Sequence, residues 1–164
     1  MAAQEAPMNR DRLFPIGLAT AWGVATASIG ASLTPLTPWY RALEKPWFQP
    51  PDLAFGPAWS LIFLAAAIGF VRAWRAGART PLVVAFAVNS VLNAGWSLLF
   101  FTLQRPDWAL VEVVPLWLSV LAMLLIARRH DRRAAQFIAP YLAWVTFAAC
   151  LNLAIVQLNT PFGG

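Results

Sequence analysis

Few side chains in this 164-residue chain could do chemistry, and most of those are aromatic rings and amides. Asn89, Asn93, Trp96 and Phe100 follow one another at offsets of 4, 3 and 4, and Tyr141, Trp144, Ala148 and Asn152 at offsets of 3, 4 and 4. Each set lies on one face of a helix, so two opposed faces of this kind can enclose a pocket. In hydrocarbon an amide turned outward leaves hydrogen-bonding groups unsatisfied, which directs Asn89 and Asn93 inward. There they can line a cavity or tie helices together, the latter worth roughly 0.6 kcal/mol per contact. Trp22 and Thr26 stand one turn apart on another segment, as do Trp59 and Phe63. Tryptophans near the ends of a span, Trp59 among them, also suit an interfacial aromatic belt.

Acid–base and metal chemistry have little to work with. Glu112 is the only acid inside an apolar segment, about one turn from its start, where the helix dipole and the interface make a carboxylate tolerable. A proton-coupling carboxylate is expected nearer the midplane. The single histidine, His130, sits among Arg128, Arg129, Arg132 and Arg133, a stretch that reads as a solvated loop. No histidine is then left inside an apolar segment as a haem axial ligand or metal ligand, and none is predicted. Cys150 is the one cysteine, it excludes an internal disulfide, and no base accompanies it. Walker A, GxSxG, HExxH and CxxC patterns are absent.

The elements that must position these residues are set by composition. Apolar residues make up 60% and charged ones 12%, against roughly 45–50% and ~25% in soluble domains. Asp, Glu, Lys and Arg are missing from Leu13 to Tyr40, Leu53 to Val71, Thr80 to Gln104, Val113 to Ala127 and Ala134 to Gly164. A helix needs about 20 apolar residues to cross a ~30 Å hydrocarbon core. The chain therefore reads as all-α, one integral membrane bundle of five transmembrane helices over residues 1–164, with spans at about 13–33, 57–74, 81–103, 108–127 and 137–158. Span one is expected to stay in the mature protein, since it lacks a small-residue cleavage site. Its Ala19, Gly23, Ala27 and Ala31, four residues apart, form a ridge that another helix, in the same bundle or in a second copy, can approach closely.

Basic residues fix an expected orientation. Arg10, Arg12, Arg72, Arg75, Arg79, Arg128, Arg129, Arg132 and Arg133 fall on one side of the layout, and Arg41, Lys45 and Arg105 on the other. The positive-inside rule places the N-terminus in the cytoplasm and the C-terminus outside. The net charge of +5 is thus a topology signal and not a nucleic-acid footprint.

Residues 34–56 between spans one and two are rich in Pro and aromatics, including Trp39, Tyr40, Trp47, Phe48 and Phe55. Disordered linkers are poor in aromatics, and the prolines bias Glu44, Lys45, Gln49 and Pro50 to extended backbone. This segment reads as a lid that packs its rings on the bundle.

Four segments carry a family resemblance: WYRALEKPWFQPP (Trp39 to Pro51), FGPAW (Phe55 to Trp59), LNAGWSLLFF (Leu92 to Phe101) and APYLAWVTFAACLN (Ala139 to Asn152). They resemble the translocator protein family, also called tryptophan-rich sensory proteins or peripheral-type benzodiazepine receptors. The resemblance implies a five-helix bundle, usually a homodimer, that binds porphyrins and drug-like aromatic ligands, with Tyr40, Trp59, Asn93, Trp144 and Ala148 at pocket positions. Trp59 and Trp144 match tryptophans associated in some bacterial members with light-dependent porphyrin breakdown, so a light- and oxygen-dependent porphyrin-degrading enzyme is the alternative to a receptor or carrier. A proton-coupled transporter centred on Glu112 is a third reading. The family's sterol-recognition segment follows the last span, where this chain reads NTPFGG without a basic residue, which argues against sterol binding. A tetrapyrrole such as porphyrin or haem enters these readings as ligand, not as obligatory cofactor. Its flat π-system suits offset stacking on Trp and Tyr, worth roughly 0.5–1.5 kcal/mol per pair beyond burial. Its propionates would favour Arg41 or Lys45 at the mouth, and Asn93 could orient a polar ring edge. The expected binding set is Trp22, Thr26, Tyr40, Trp47, Trp59, Phe63, Asn89, Asn93, Trp96, Tyr141, Trp144, Ala148 and Asn152.

Overall fold

A computed structural model describes residues 7–160 and 162 of the chain, with side chains from Arg12 onward. The first six residues, the side chain of Arg10 and half of the NTPFGG tail (Pro161, Gly163 and Gly164), on which the terminal orientation and the sterol argument partly rest, lie outside the described residues. Helix α1 spans Pro7–Ser32, α2 Pro38–Ala42, α3 Asp52–Arg75, α4 Thr80–Ser97, α5 Pro106–His130 and α6 Arg132–Asn159. All but the short α2 are long and apolar enough to cross a membrane. Many large side chains on the outside of the spans are aliphatic, such as Leu61, Val91, Val111 and Leu118, as suits a lipid-facing surface, with Phe14, Trp108 and Phe137 exposed nearer the span ends. Packing runs α1–α3–α6–α5–α4 and back to α1, a closed ring of five helices.

Three boundaries differ from the sequence expectation, each for a local reason. Helix α3 starts at Asp52, ahead of Pro57, because Pro51 presets the entry (φ −54°) and Asp52 places a carboxylate on the positive end of the dipole. Pro57 then falls inside α3, where its missing N–H leaves the carbonyl of highly exposed Leu53 free. Between Arg128 and Gln136 there is no solvated loop. Helix α5 runs on to His130 and α6 begins at Arg132, so Asp131 alone joins them. Its carboxylate accepts from the Arg133 N–H at 2.8 Å, capping α6, and pairs with Arg72 at 2.8 Å. Arginines in the last turn of α5 suit the negative end of its dipole, so the charges extend the helix past the apolar span. The lid also contains a helix. Thr37 accepts from the Tyr40 N–H at 3.3 Å and Pro38 opens α2.

The third span ends in a π-helical turn, Leu98–Thr102, closed by Leu103 N–H donating to the Leu98 carbonyl at 2.8 Å. A π turn holds one more residue than an α turn, so consecutive Phe100 and Phe101 both turn inward. Gln104, at φ 54°, then ends the helix. The core divides in two. The larger part includes Phe63, Phe70, Phe86, Met123, Ile138 and Tyr141, and a smaller one gathers Tyr40, Phe100, Ala109 and Ile155 beneath the lid.

Candidate functional site

The smaller core surrounds a cavity. The lid supplies Tyr40 and Gln49, α3 Phe55, the end of the third span Trp96, Phe100 and Phe101, and α6 Ala148, Leu151, Asn152 and Ile155. The α6 residues continue one helical stripe past Ala148, so Leu151 and Ile155 were readable from spacing. Phe101 was not, because only the π turn brings it round. Gln49 and Phe55 lacked any periodic signal, lying in the lid and at its exit. The cavity measures about 40 Å³, far below the ~300–1,000 Å³ of ligand sites. As closed, it is too small to hold a molecule of tetrapyrrole size.

The lid is fastened at three points. Glu44 N–H donates to Asn159 Oδ1 at 2.8 Å, and Asn159 Nδ2 returns a bond to the Glu44 carbonyl at 2.9 Å. Tyr40 donates to Asp52 at 2.9 Å, and burial together with that carboxylate pushes the Tyr40 hydroxyl above its ordinary range, keeping it a donor. Lys45 lies 4.2 Å from the centre of the Tyr40 ring and 3.5 Å from Asp52. All are groups that water can also satisfy, so the closed lid rests on modest bonds of about 0.5–1.5 kcal/mol each. On the opposite wall Trp96 Nε1 donates to Asn152 Oδ1 at 3.2 Å, and Asn152 Nδ2 to the Pro106 carbonyl at 2.8 Å.

Beside this cavity a second aromatic group joins α3 to α6. Trp59 stacks on Phe63 at 5.2 Å and meets Tyr141 and Trp144 edge-on at 5.9 and 6.1 Å. Phe55 touches Trp144 at 5.9 Å, so it belongs to both groups and links them. Trp144 Nε1 is buried without a hydrogen-bond partner among the described residues, an unused donor beside the rings. Below them runs a polar chain. Asn93 donates to the Tyr141 hydroxyl at 3.1 Å, Tyr141 to Asn89 at 3.0 Å, and Asn89 to Ser119 at 3.0 Å. Each amide oxygen or nitrogen so engaged is taken up by interhelical bonding, which leaves Asn93 less free to orient a ligand than its position on the stripe suggests.

The remaining residues of the expected set lie elsewhere. Trp22 donates to the Phe86 carbonyl at 3.1 Å and packs on Phe63 from the α1 side, and Thr26 shares a hydrogen bond with Ser90 at 2.8 Å, so both close the bundle between α1 and α4. Trp47 is 95% exposed and touches only Phe48 among the aromatic rings. Arg41 is exposed at the lid, and Lys45 is engaged by Asp52. Glu112 has both carboxylate oxygens buried and unpartnered among the described residues, and a Cβ on Gly95 would come within 3.7 Å of Oε1. The described residues contain no cluster of His, Cys, Asp and Glu able to hold a metal.

Comparison with known proteins agrees with this architecture. The sequence profile of the TspO/MBR family matches residues 16–158. The chain is 37% identical over 150 residues to tryptophan-rich protein TspO of Chlorobaculum tepidum, covering 88% of this chain and 92% of that one. It is 32% identical over 152 residues to the tryptophan-rich sensory protein of Cereibacter sphaeroides, covering 93% and 95%. It is 33% identical over 126 residues to the translocator protein of Sus scrofa, covering 74% and 75%. A match over nearly the whole bundle, lid and cavity wall included, means that this chain is a multi-pass membrane protein belonging to the TspO/MBR family.

Proposed function

We propose that the chain is a receptor or carrier for tetrapyrroles and similar flat aromatic ligands, which enter beneath the lid and stack on the rings of the two aromatic groups. The observation that carries this reading is the continuity of those groups: Phe55 spans from the cavity under Tyr40 to Trp144, so an opened lid exposes one aromatic surface from Phe101 to Trp59. Titrating the purified protein with protoporphyrin in the dark, followed by illumination, tests it. Saturable quenching of tryptophan emission supports the reading, and linear, unsaturable quenching removes it. In the same assay Ala148→Thr is expected to weaken binding, because it narrows the wall and adds a hydroxyl that needs a partner, at ~1–3 kcal/mol or roughly 5- to 150-fold in affinity. Unaltered affinity would take Ala148 out of the site.

The contact of Trp59 and Trp144 at 6.1 Å favours a second reading, light-driven oxidation of bound porphyrin through indole. Among the described residues Glu112 has no hydrogen-bonded relay leading from it, which leaves proton-coupled transport with the least support.

From the distribution of basic residues between the two ends of the bundle we also infer that the lid lies outside the cytoplasm. With exposed Cys150 replaced by serine, a cysteine at Asp52 is expected to react with an impermeant maleimide in intact cells and one at Arg132 only after permeabilisation. The reverse pattern inverts the topology.

A further inference from the structure

Two large apolar side chains are exposed far beyond the others among the described residues, Trp47 at 95% and Leu53 at 91%, and both lie where the lid runs into α3. Slack backbone does not put them there. Gln49 N–H donates to the Pro46 carbonyl at 2.9 Å, which closes a tight turn with Trp47 and Phe48 at its tip. On the two flanks of that tip, Gln49 and Lys45 lie 3.4 and 3.5 Å from the Asp52 carboxylate, so the turn is tied to the start of α3. Trp47 does not line the cavity under the lid.

Contacts with α6 fix the depth of the tip. Phe48 meets Phe147 at 6.4 Å between ring centres, and Trp47 meets Phe48 at 5.7 Å. Leu158 stands about 16 Å beyond Phe147 along α6, at ~1.5 Å per residue. Even if the two ring contacts ran straight along the helix, Trp47 would stay short of Leu158. Exposed side chains on that stretch of α6 include Cys150 and Leu153, apolar until Gln157 and Leu158 in the last turn. On α3, Leu53 opens an exposed stripe that continues through Pro57, Leu61, Leu64 and Ile68, one helical face turned to lipid. The tip thus stands beside lipid-facing surfaces of two spans, and not above the bundle.

We propose that this tip is a membrane contact: Trp47 and Leu53 seat in the interfacial layer of the lid-side leaflet. There an indole lays its ring against acyl chains and turns its N–H to headgroup and ester oxygens. A bilayer fits this surface better than a second copy does. One indole offers roughly 150–250 Å², against about 800 Å² per partner in a specific protein interface. The stripe below Leu53 is already a lipid surface, which Trp47 extends to the lid. The lid then has a fastening outside the protein, in addition to its bonds to Asn159 and Asp52.

Fluorine NMR of the full chain, labelled with fluorotryptophan at its nine tryptophans and reconstituted in phosphatidylcholine vesicles, tests the contact. Trp47→Phe assigns the resonance by its loss. In the parent, that resonance is expected to be broadened away by phosphatidylcholine bearing a nitroxide near the top of one acyl chain, and to survive a soluble gadolinium chelate. Broadening by the chelate as strong as that by the lipid puts the indole in water and overturns the proposal. A resonance that neither agent reaches puts it against a second copy and overturns the proposal as well. In unlabelled vesicles Trp47→Asp, at a side chain too exposed to support the core, is expected to speed amide hydrogen exchange over residues 43–49 with the melting midpoint unchanged. Exchange equal to the parent's overturns the fastening of the lid by the bilayer.

Discussion

Gly69→Leu is expected to prevent folded protein from accumulating, and Gly69→Ala to lower the melting midpoint measurably in detergent. A Cβ at this position would stand 2.8 Å from the Ala134 carbonyl oxygen and 2.8 Å from Ile138 Cγ1, both on α6. The backbone oxygen cannot turn aside, so α3 and α6 must separate. One methyl in a well-packed contact costs about 1–3 kcal/mol, and an isobutyl group more. Separation also reaches the site, since α3 and α6 carry Trp59 and Trp144 and those rings meet at 6.1 Å. Gly23→Ala, with nothing within 4 Å of the new carbon, serves as the control and is expected to melt with the parent. A Gly69→Ala protein as stable as the parent would show that the α3–α6 contact is slack.

Gly69 also marks where the sequence stopped being readable. A ridge of small residues stood out on α1, yet its Ala27 and Ala31 are exposed, whereas Ala66, Gly69 and Ala73 of α3 are buried against α6. Small residues are so frequent in this chain that their spacing alone does not say which ridge meets a partner. The spans themselves were legible because charge is segregated sharply enough that length and hydrophobicity leave no other reading. The α5–α6 junction misled for the converse reason. Four arginines look like a loop when only hydropathy is weighed, but the same residues favour the end of a helix, and Asp131 supplies a cap that needs no further linker. In the cavity wall, Trp96, Ala148 and Asn152 followed from helical period, while Phe101 depends on a π turn that no residue type announces. Trp47 shows the limit of counting aromatics: its abundance of ring surface predicted packing, and the lid turns it to the outside.

Replacing both Trp59 and Trp144 by phenylalanine separates the two functional readings, and the larger of its effects is all-or-none. Phenyl rings keep the Phe63, Tyr141 and Phe55 contacts of the pair, so the bundle is expected to hold; at position 144 the change even removes a buried donor that has no partner. For a receptor or carrier, smaller rings reduce stacking area and binding weakens by ~1–2 kcal/mol, about 5- to 30-fold in Kd, equally in darkness and light. For an oxidising enzyme, the variant loses light-dependent decay of the porphyrin spectrum even at saturating ligand, because indole gives up an electron far more readily than phenyl. Absorbance followed under oxygen and constant illumination, at equal bound porphyrin in parent and variant, reads both effects in one experiment. On the receptor reading, which the continuous aromatic surface under the lid supports, the expected result is weaker binding with an unchanged decay rate per bound porphyrin. Abolished decay at full occupancy would instead make Trp59 and Trp144 the reacting groups and the lid the device that admits substrate to them.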